Sequence, residues 1–537
     1  MATTNMLSRH LILSDQINWR FLGITKAQAY TTQAAPKPSD AADGSVENAR
    51  PYSEVPGPSK LELIWLFLPG GEFSKKPFFT AMAGMEKKYG PLFRFPGIFD
   101  KPEIVIDLNP ADYPIIFRNE GPWPNRRVFD TFVYHREKHR GEFFQGVEGI
   151  ISTSGEKWAK MRTAVNPILM QPKNAKLYLN TLLEINNEFL ERIRHVRDPE
   201  TLEVPGEFLD DINRLAFEGI AGIALNTRLG LIHKNRDSAE GKTIMKGIRS
   251  FFVLSEELEI KPSIWKYVKT PKFYEMMRTL DTLTDICNKY ISEALVRIER
   301  DSEGKLMSEV GKEKSVLEKL VRVNKKFAVV MALDMILAGI DTTSSTLTGL
   351  LICIAKNPDK QQKLFEEISQ ILPHKDSQLT IENMQNLPYL RACIKESIRQ
   401  YPIIPGTVRR LSSDVVLSGY RIPAGTDISI GANLLMRDER YVPQPDKFIP
   451  ERWLRNDNST QALEGQISNP FMYVPFGFGP RSCVGKRIVN LELEITLARL
   501  VRNFYIEFNY PTENAFEMKF MSVPQIPLKF KFAERRE

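Results

Sequence analysis

The sequence predicts a mainly α protein with a smaller β portion, built as one large domain behind a short leader and a linker. Three observations carry that prediction. Helical spacing of apolar positions recurs through most of the chain after residue 59, strand signals are short and collect between residues 414 and 432, and no second linker, repeat or low-complexity tract interrupts residues 59–537. Hydrophobic residues at 42% and charged residues at 26% fit an ordinary globular chain. The net charge of +7 is unevenly placed: residues 1–39 hold four Lys/Arg and one Asp, a balance of +3, which leaves +4 for all the rest. With no basic block, nucleic-acid binding is not expected.

Residues 1–35 scatter Arg9, Arg20 and Lys26 among many Ser and Thr with a single acid, Asp15. They lack the compact apolar centre of a secretory signal and any run near the ~20 apolar residues of a membrane span. This is the pattern of a cleaved mitochondrial transit peptide. Residues 36–58 are rich in Pro, Ser and small residues and read as a linker. "LELIWLFLP", beginning at Leu61, is strongly apolar but too short to span; it either docks on the core or touches a membrane surface.

Amphipathic helices are expected over 175–195 and 268–300. Residues 327–356, "FAVVMALDMILAGIDTTSSTLTGLLICIAK", are apolar almost all round, which places this helix inside the core. Asp334, Asp341 and the hydroxyls from Thr342 to Thr346 count against a transmembrane reading, because ions at mid-bilayer are costly. Gly339 is odd in a purely structural helix, since an interior glycine costs about 1 kcal/mol relative to alanine. An acid beside a hydroxyl can reroute hydrogen bonds and relay protons. Residues 414–432 alternate β-branched and turn residues, as a hairpin does.

The four cysteines, Cys287, Cys353, Cys393 and Cys483, form no CxxC or CxxCH, so zinc ribbons, thioredoxin sites and c-type haem attachment lack their signatures. Cys483 lies in "FGFGPRSCVG", residues 476–485. GxGxxG fails at Ser482, and GxxxxGK[ST] fails on both sides of Gly485-Lys486. A structural cysteine does not need Gly477, Gly479, Pro480 and Gly485 around it. Glycines let backbone approach a ligand closely, and N–H groups or a nearby cation turned toward a sulfur favour its anion. Such a loop suits a thiolate held against something flat and large, which points to a haem-iron ligand.

The loop resembles that of cytochrome P450, Phe-x-x-Gly-x-Arg-x-Cys-x-Gly, at Phe476, Gly479, Arg481, Cys483 and Gly485. In that family a cysteine thiolate on the haem iron donates electron density that favours O–O cleavage. Other motifs follow in the family's order: "AGIDTT" at 338–343, "ESIR" at 396–399 and "PERW" at 450–453. The resemblance covers roughly residues 52–535 and implies the cytochrome P450 fold, with haem b between the distal helix and the cysteine loop. It implies Cys483 as axial ligand to the iron and Asp341 and Thr342 as the catalytic acid and alcohol that guide protons. Trp158, Arg162, Arg409, Arg481 and Phe476 would bind the cofactor, with Arg410 a competitor to Arg409 for a propionate. Glu396, Arg399 and Arg452 would form a structural salt-bridge group. Two departures, Gln400 and Trp453 where leucine and phenylalanine are frequent, are expected to be minor.

The resemblance further implies a monooxygenase of the mitochondrial type, most like insect members that oxidise xenobiotics or ecdysteroids. Electrons would come from NADPH through a reductase and an acidic, adrenodoxin-like ferredoxin docking at Arg391, Lys395, Lys486 and Arg487. O2 and a lipophilic small molecule would be the substrates, the latter lodged among residues 128–150, the distal helix, Ile403–Val408 and the turn near Met521–Pro524. The expected location is the matrix side of the inner membrane, with peripheral contact. The alternatives are a haem-thiolate isomerase or dehydratase without external electrons, against which the Asp341–Thr342 pair counts, and a non-catalytic haem-binding protein.

Overall fold

The computed structural model describes residues 48–536 apart from 75, 77, 100, 127–128, 234–237, 304–314 and 455–468. The expected leader therefore lies outside the described residues, as do residues 36–47 of the linker. The compact unit runs from Pro51 to Glu537. It begins inside the stretch read as linker: Val55 is buried, and the Pro56 carbonyl accepts from Arg94 N at 2.7 Å. Proline and serine there mark an extended, packed entry segment.

The helix Lys60–Phe67 starts at a capping box, Ser59 with Glu62. It buries Leu63 and Leu66 but leaves Leu61 74% and Trp65 73% exposed. Four strands form the main sheet: β1 (Leu92–Phe95), β2 (Ile104–Asp107), β3 (Thr407–Arg410) and, after the hairpin β4 (Val415–Leu417) and β5 (Tyr420–Ile422), β6 (Asp427–Ile430). The main sheet has the order β1-β2-β6-β3, with β2 and β6 parallel and the other pairs antiparallel. The predicted hairpin is thus 415–422, turning at Ser418 and Gly419, both with positive φ. Residues 427–430 instead leave it for the main sheet.

A helical core fills the rest. The helix Leu179–Val196 buries Leu182, Ile185, Phe189 and Ile193, one face at helical spacing. The expected helix at 268–300 spans Pro271–Glu303. Lys325–Lys356, 32 residues capped by Asn324, is long and apolar enough to cross a membrane, yet its most apolar window is 78% buried inside the protein. It is a core helix, as its acids and hydroxyls indicated. Gly339 has a packing explanation: a Cβ there would come within 2.8 Å of Ile220 Cγ1 on the helix Leu209–Ala224. Above it lies the segment Asp130–Phe144, a short helix, one π-helical turn (His135–His139) and a last helical turn. Two short antiparallel pairs close the chain: Phe504–Glu507 with Lys531–Glu534, and Phe516–Met518 with Ser522–Pro524.

Candidate functional site

The cysteine loop is held by its own backbone. Cys483 N donates to Phe476 O at 2.7 Å and Gly477 N to Val474 O at 2.8 Å. Gly477 and Gly479 have φ near +70°, the left-handed region, so side chains there would be strained. The loop ends at the start of the helix Lys486–Asn503, whose first N–H groups, those of Gly485 and Lys486, lie close enough to the Cys483 sulfur to favour its anion. Cys287, Cys353 and Cys393 are buried, while Cys483 is exposed. Although its surface is accessible, Cys483 is crowded by protein on its other sides, and that desolvation raises its thiol above the ordinary value against the opposing pull of the two N–H groups, Arg162 and Lys486. Coordination to a metal ion would remove the proton, because a ligating thiol loses it outright.

Around this loop lies a cluster of guanidinium groups. Arg162, from the helix Gly155–Leu169, donates to Ser482 O at 2.6 Å, and the Arg481 guanidinium stacks 4.2 Å over the Trp158 ring one turn earlier. Arg409, on β3, pairs with Glu120 and donates to Phe478 O at 3.0 Å. Arg410 points elsewhere, clamped on Asp427 at 2.6 and 2.8 Å. A fourth cation, Arg126, was missed from sequence. Burial lowers Arg162 and Arg126 to about 10 and Arg481 to about 8. The other guanidinium groups add repulsion at Arg126 and Arg481. Arg126 Nε and Arg162 Nε are buried without a protein partner. Unbalanced buried cations with spare N–H groups suit an anion carrying more than one carboxylate.

On the long helix, Ala338, Thr342 and Thr346 share one face by their spacing and are less buried than the residues beside them. Thr342 Oγ1 donates back to Ala338 O at 2.6 Å. Asp341 is buried and lines a separate cavity of about 200 Å³ with Arg249, Asn213, Ser344, Ser345, Glu517 and Lys519. Burial pushes its carboxyl up to about 6, against the pull of Arg249.

A cytochrome P450 family model matches residues 55–532. "Probable cytochrome P450 12e1, mitochondrial" of Drosophila melanogaster is 52% identical over 494 residues, covering 92% of this chain and 94% of the relative. "Cytochrome P450 CYP12A2" of Musca domestica is 50% identical over 499 residues, covering 92% and 93%. The chain belongs to the cytochrome P450 family. It is accordingly an oxidoreductase of the monooxygenase type, and its family's cofactor is haem. The Drosophila melanogaster relative above and a second one, 46% identical, are named as mitochondrial.

In this P450, Glu396 is fully buried and accepts from Arg399 at 2.9 and 3.0 Å and from Arg452 at 3.2 Å. Trp453 is no minor departure: its Nε1–H donates to Glu396 Oε2 at 2.9 Å. Gln400 Oε1 accepts from Cys353 Sγ, and its amide reaches Asp446 O. The four expected docking cations divide. Lys395, Lys486 and Arg487 are exposed, whereas Arg391 is committed to Glu494 through two bonds of 3.1 and 3.2 Å and to the carbonyls of Met384 and Gln385. The Phe476 ring lies under Lys486, 5.7 Å away.

Proposed function

We propose that this chain is a mitochondrial haem-thiolate monooxygenase acting on a lipophilic small molecule, a xenobiotic or an ecdysteroid-like steroid. The observation that carries the reading is the joint placement of an open cysteine with three buried guanidinium groups and a fourth, Arg126, that is half-buried, one site matching a thiolate-ligated porphyrin with two propionates. Cys483 would ligate the iron, Arg126, Arg162, Arg409 and Arg481 would hold the propionates, Trp158 would back Arg481, and Phe476 would brace the loop. When bound, haem supplies O2 activation and transfer of one oxygen atom to the substrate.

The protein's own part is orientation and proton supply. Ala338 and Thr342 would form the face over the ring. Asp341, with an acidity near neutrality and a cavity of mixed polar and apolar lining beside it, can take protons from water and pass them toward Thr342. The substrate space would lie by Asp130–Phe144, where Phe129 packs on Phe520 at 4.5 Å and on Phe251 at 5.3 Å, apolar rings suited to a lipophilic molecule. Lys395, Lys486 and Arg487 offer a basic surface that would steer an acidic, adrenodoxin-like ferredoxin served by an NADPH-dependent reductase.

The unit would work on the matrix side of the inner membrane after removal of residues 1–35. The exposed Leu61, Trp65, Ile260, Ile264, Tyr267 and Val268 suit peripheral contact with lipid. Turnover of a lipophilic panel by the leader-free protein with ferredoxin, reductase and NADPH under 18O2 tests the proposal. One labelled oxygen per product supports it. Unlabelled product formed without NADPH would instead identify an isomerase or dehydratase.

A further inference from the structure

Asp334 lies two turns before Asp341, and nothing in the proposed chemistry uses it. Its buried carboxylate pairs with the equally buried Arg136 of the π-helical turn, Nη2 to Oδ1 at 2.6 Å. Arg136 sits over the Phe132 ring at 3.9 Å and the Phe144 ring at 5.0 Å, and its Nη1 donates to Glu148 O. Asp334 Oδ2 accepts from Ile150 N at 2.9 Å. Between these contacts is Gly149, with φ +86°, where a Cβ would collide with both Arg136 Nη1 and Asp334 Oδ2. The ion pair thus grips the loop 148–154 from one side. Arg481 grips it from the other, donating to Ile150 O at 3.4 Å, Thr153 O at 2.6 Å and Ser154 Oγ at 3.2 Å. Ile150 gives its N–H to the long helix and its carbonyl to the cysteine loop.

We propose that Asp334 is a positioning residue that joins the segment Asp130–Phe144, the loop 148–154 and Arg481 into one mechanical unit. Breaking the Asp334–Arg136 pair then frees the segment and the guanidinium cradle around the cofactor carboxylates together, whereas breaking an outer tether of the segment frees the segment alone. The inference rests on the reading of Arg481 as part of that cradle. The same segment has an outer tether that serves as an internal control. Asp281, on the helix Pro271–Glu303, lies 3.1 Å from His135 Nε2, 2.8 Å from His139 Nε2 and 3.3 Å from Arg140 Nη1.

Two rates on the haem-loaded protein test the coupling: entry of 4-phenylimidazole by stopped-flow absorbance, and haem transfer to apomyoglobin. Asp334→Asn is expected to speed both by roughly tenfold or more, because Arg136 is left buried without its counter-charge. Asp281→Asn is expected to speed entry and leave transfer at the wild-type rate. Wild-type transfer in Asp334→Asn, or equal acceleration of transfer in both variants, overturns the proposal. Should Asp334→Asn fail to fold, amide exchange of residues 148–154 in the wild-type holoenzyme must change when 4-phenylimidazole binds, and unchanged exchange overturns it. Arg481→Gln that leaves haem transfer unaltered would refute the cradle reading instead, whatever the Asp334 variant does.

Discussion

Trp453 Nε1 donates to Glu396 Oε2 at 2.9 Å, making an indole the third side chain, after two arginines, to donate to a fully buried carboxylate. The other side-chain bonds come from Arg399 and Arg452, and Ile449 N adds a main-chain bond of 3.0 Å. Phenylalanine would fill the space without donating. Trp453→Phe should therefore destabilise the holoprotein by about 1 kcal/mol, the net worth of one such bond. Urea denaturation measures it, and an unchanged midpoint would show that the bond contributes nothing.

Arg391 and Lys395 should separate in their effects. Lys395→Glu combined with Arg487→Glu should slow ferredoxin association by roughly tenfold at low ionic strength and flatten its salt dependence, as expected for steering charges. Arg391→Gln should mainly lower stability, since it frees the buried-side carboxylate of Glu494, whose acidity Arg391 helps to maintain against burial. Surface plasmon resonance across a salt series, with thermal melts of the same variants, distinguishes the two outcomes.

Glu492 predicts a pH dependence. It is buried on the helix Lys486–Asn503 beside Gly219, and burial pushes its carboxyl up to about 8. Between its ordinary value of 4.5 and about 8 the folded state holds more protons than the unfolded state at this group. Its contribution to stability is full below the lower value and falls as pH rises through that window. Glu492→Gln should raise the melting temperature at pH 8 more than at pH 5. Equal changes at both pH values would contradict a protonated, buried acid.

Asp341→Asn should lower product formation by roughly 10²-fold, the usual size of a general acid–base contribution, while substrate still binds. Loss of the proton supply should also increase hydrogen peroxide released per NADPH consumed. Steady-state assays of product, peroxide and NADPH check this together. A variant with unaltered coupling would remove Asp341 from the proton path.

The fold class, the buried character of 327–356 and the loop around Cys483 were legible because each is written locally, in periodicity or in glycines at fixed spacing. The roles of Arg126 and Arg391 were not. Whether a guanidinium points into a cluster of like charges or onto Glu494 depends on residues more than 100 positions away, and no local pattern encodes it. Gly339 misled for the same reason: its meaning lies in Ile220 of another helix. Residues 51–58 have the composition of a linker, but Val55 is buried and the backbone is pinned to Arg94. Trp453 is the clearest case. Its substitution for phenylalanine reads as conservative until the Glu396 carboxylate is seen beneath the indole N–H.

Absorption spectroscopy of the reduced, carbonylated protein tests the central claim most directly. The wild-type chain should show the red-shifted Soret band of a thiolate-ligated haem, and Cys483→Ala should lose it. A band that survives the Cys483→Ala substitution, or is absent from haem-loaded wild type, would contradict ligation through Cys483.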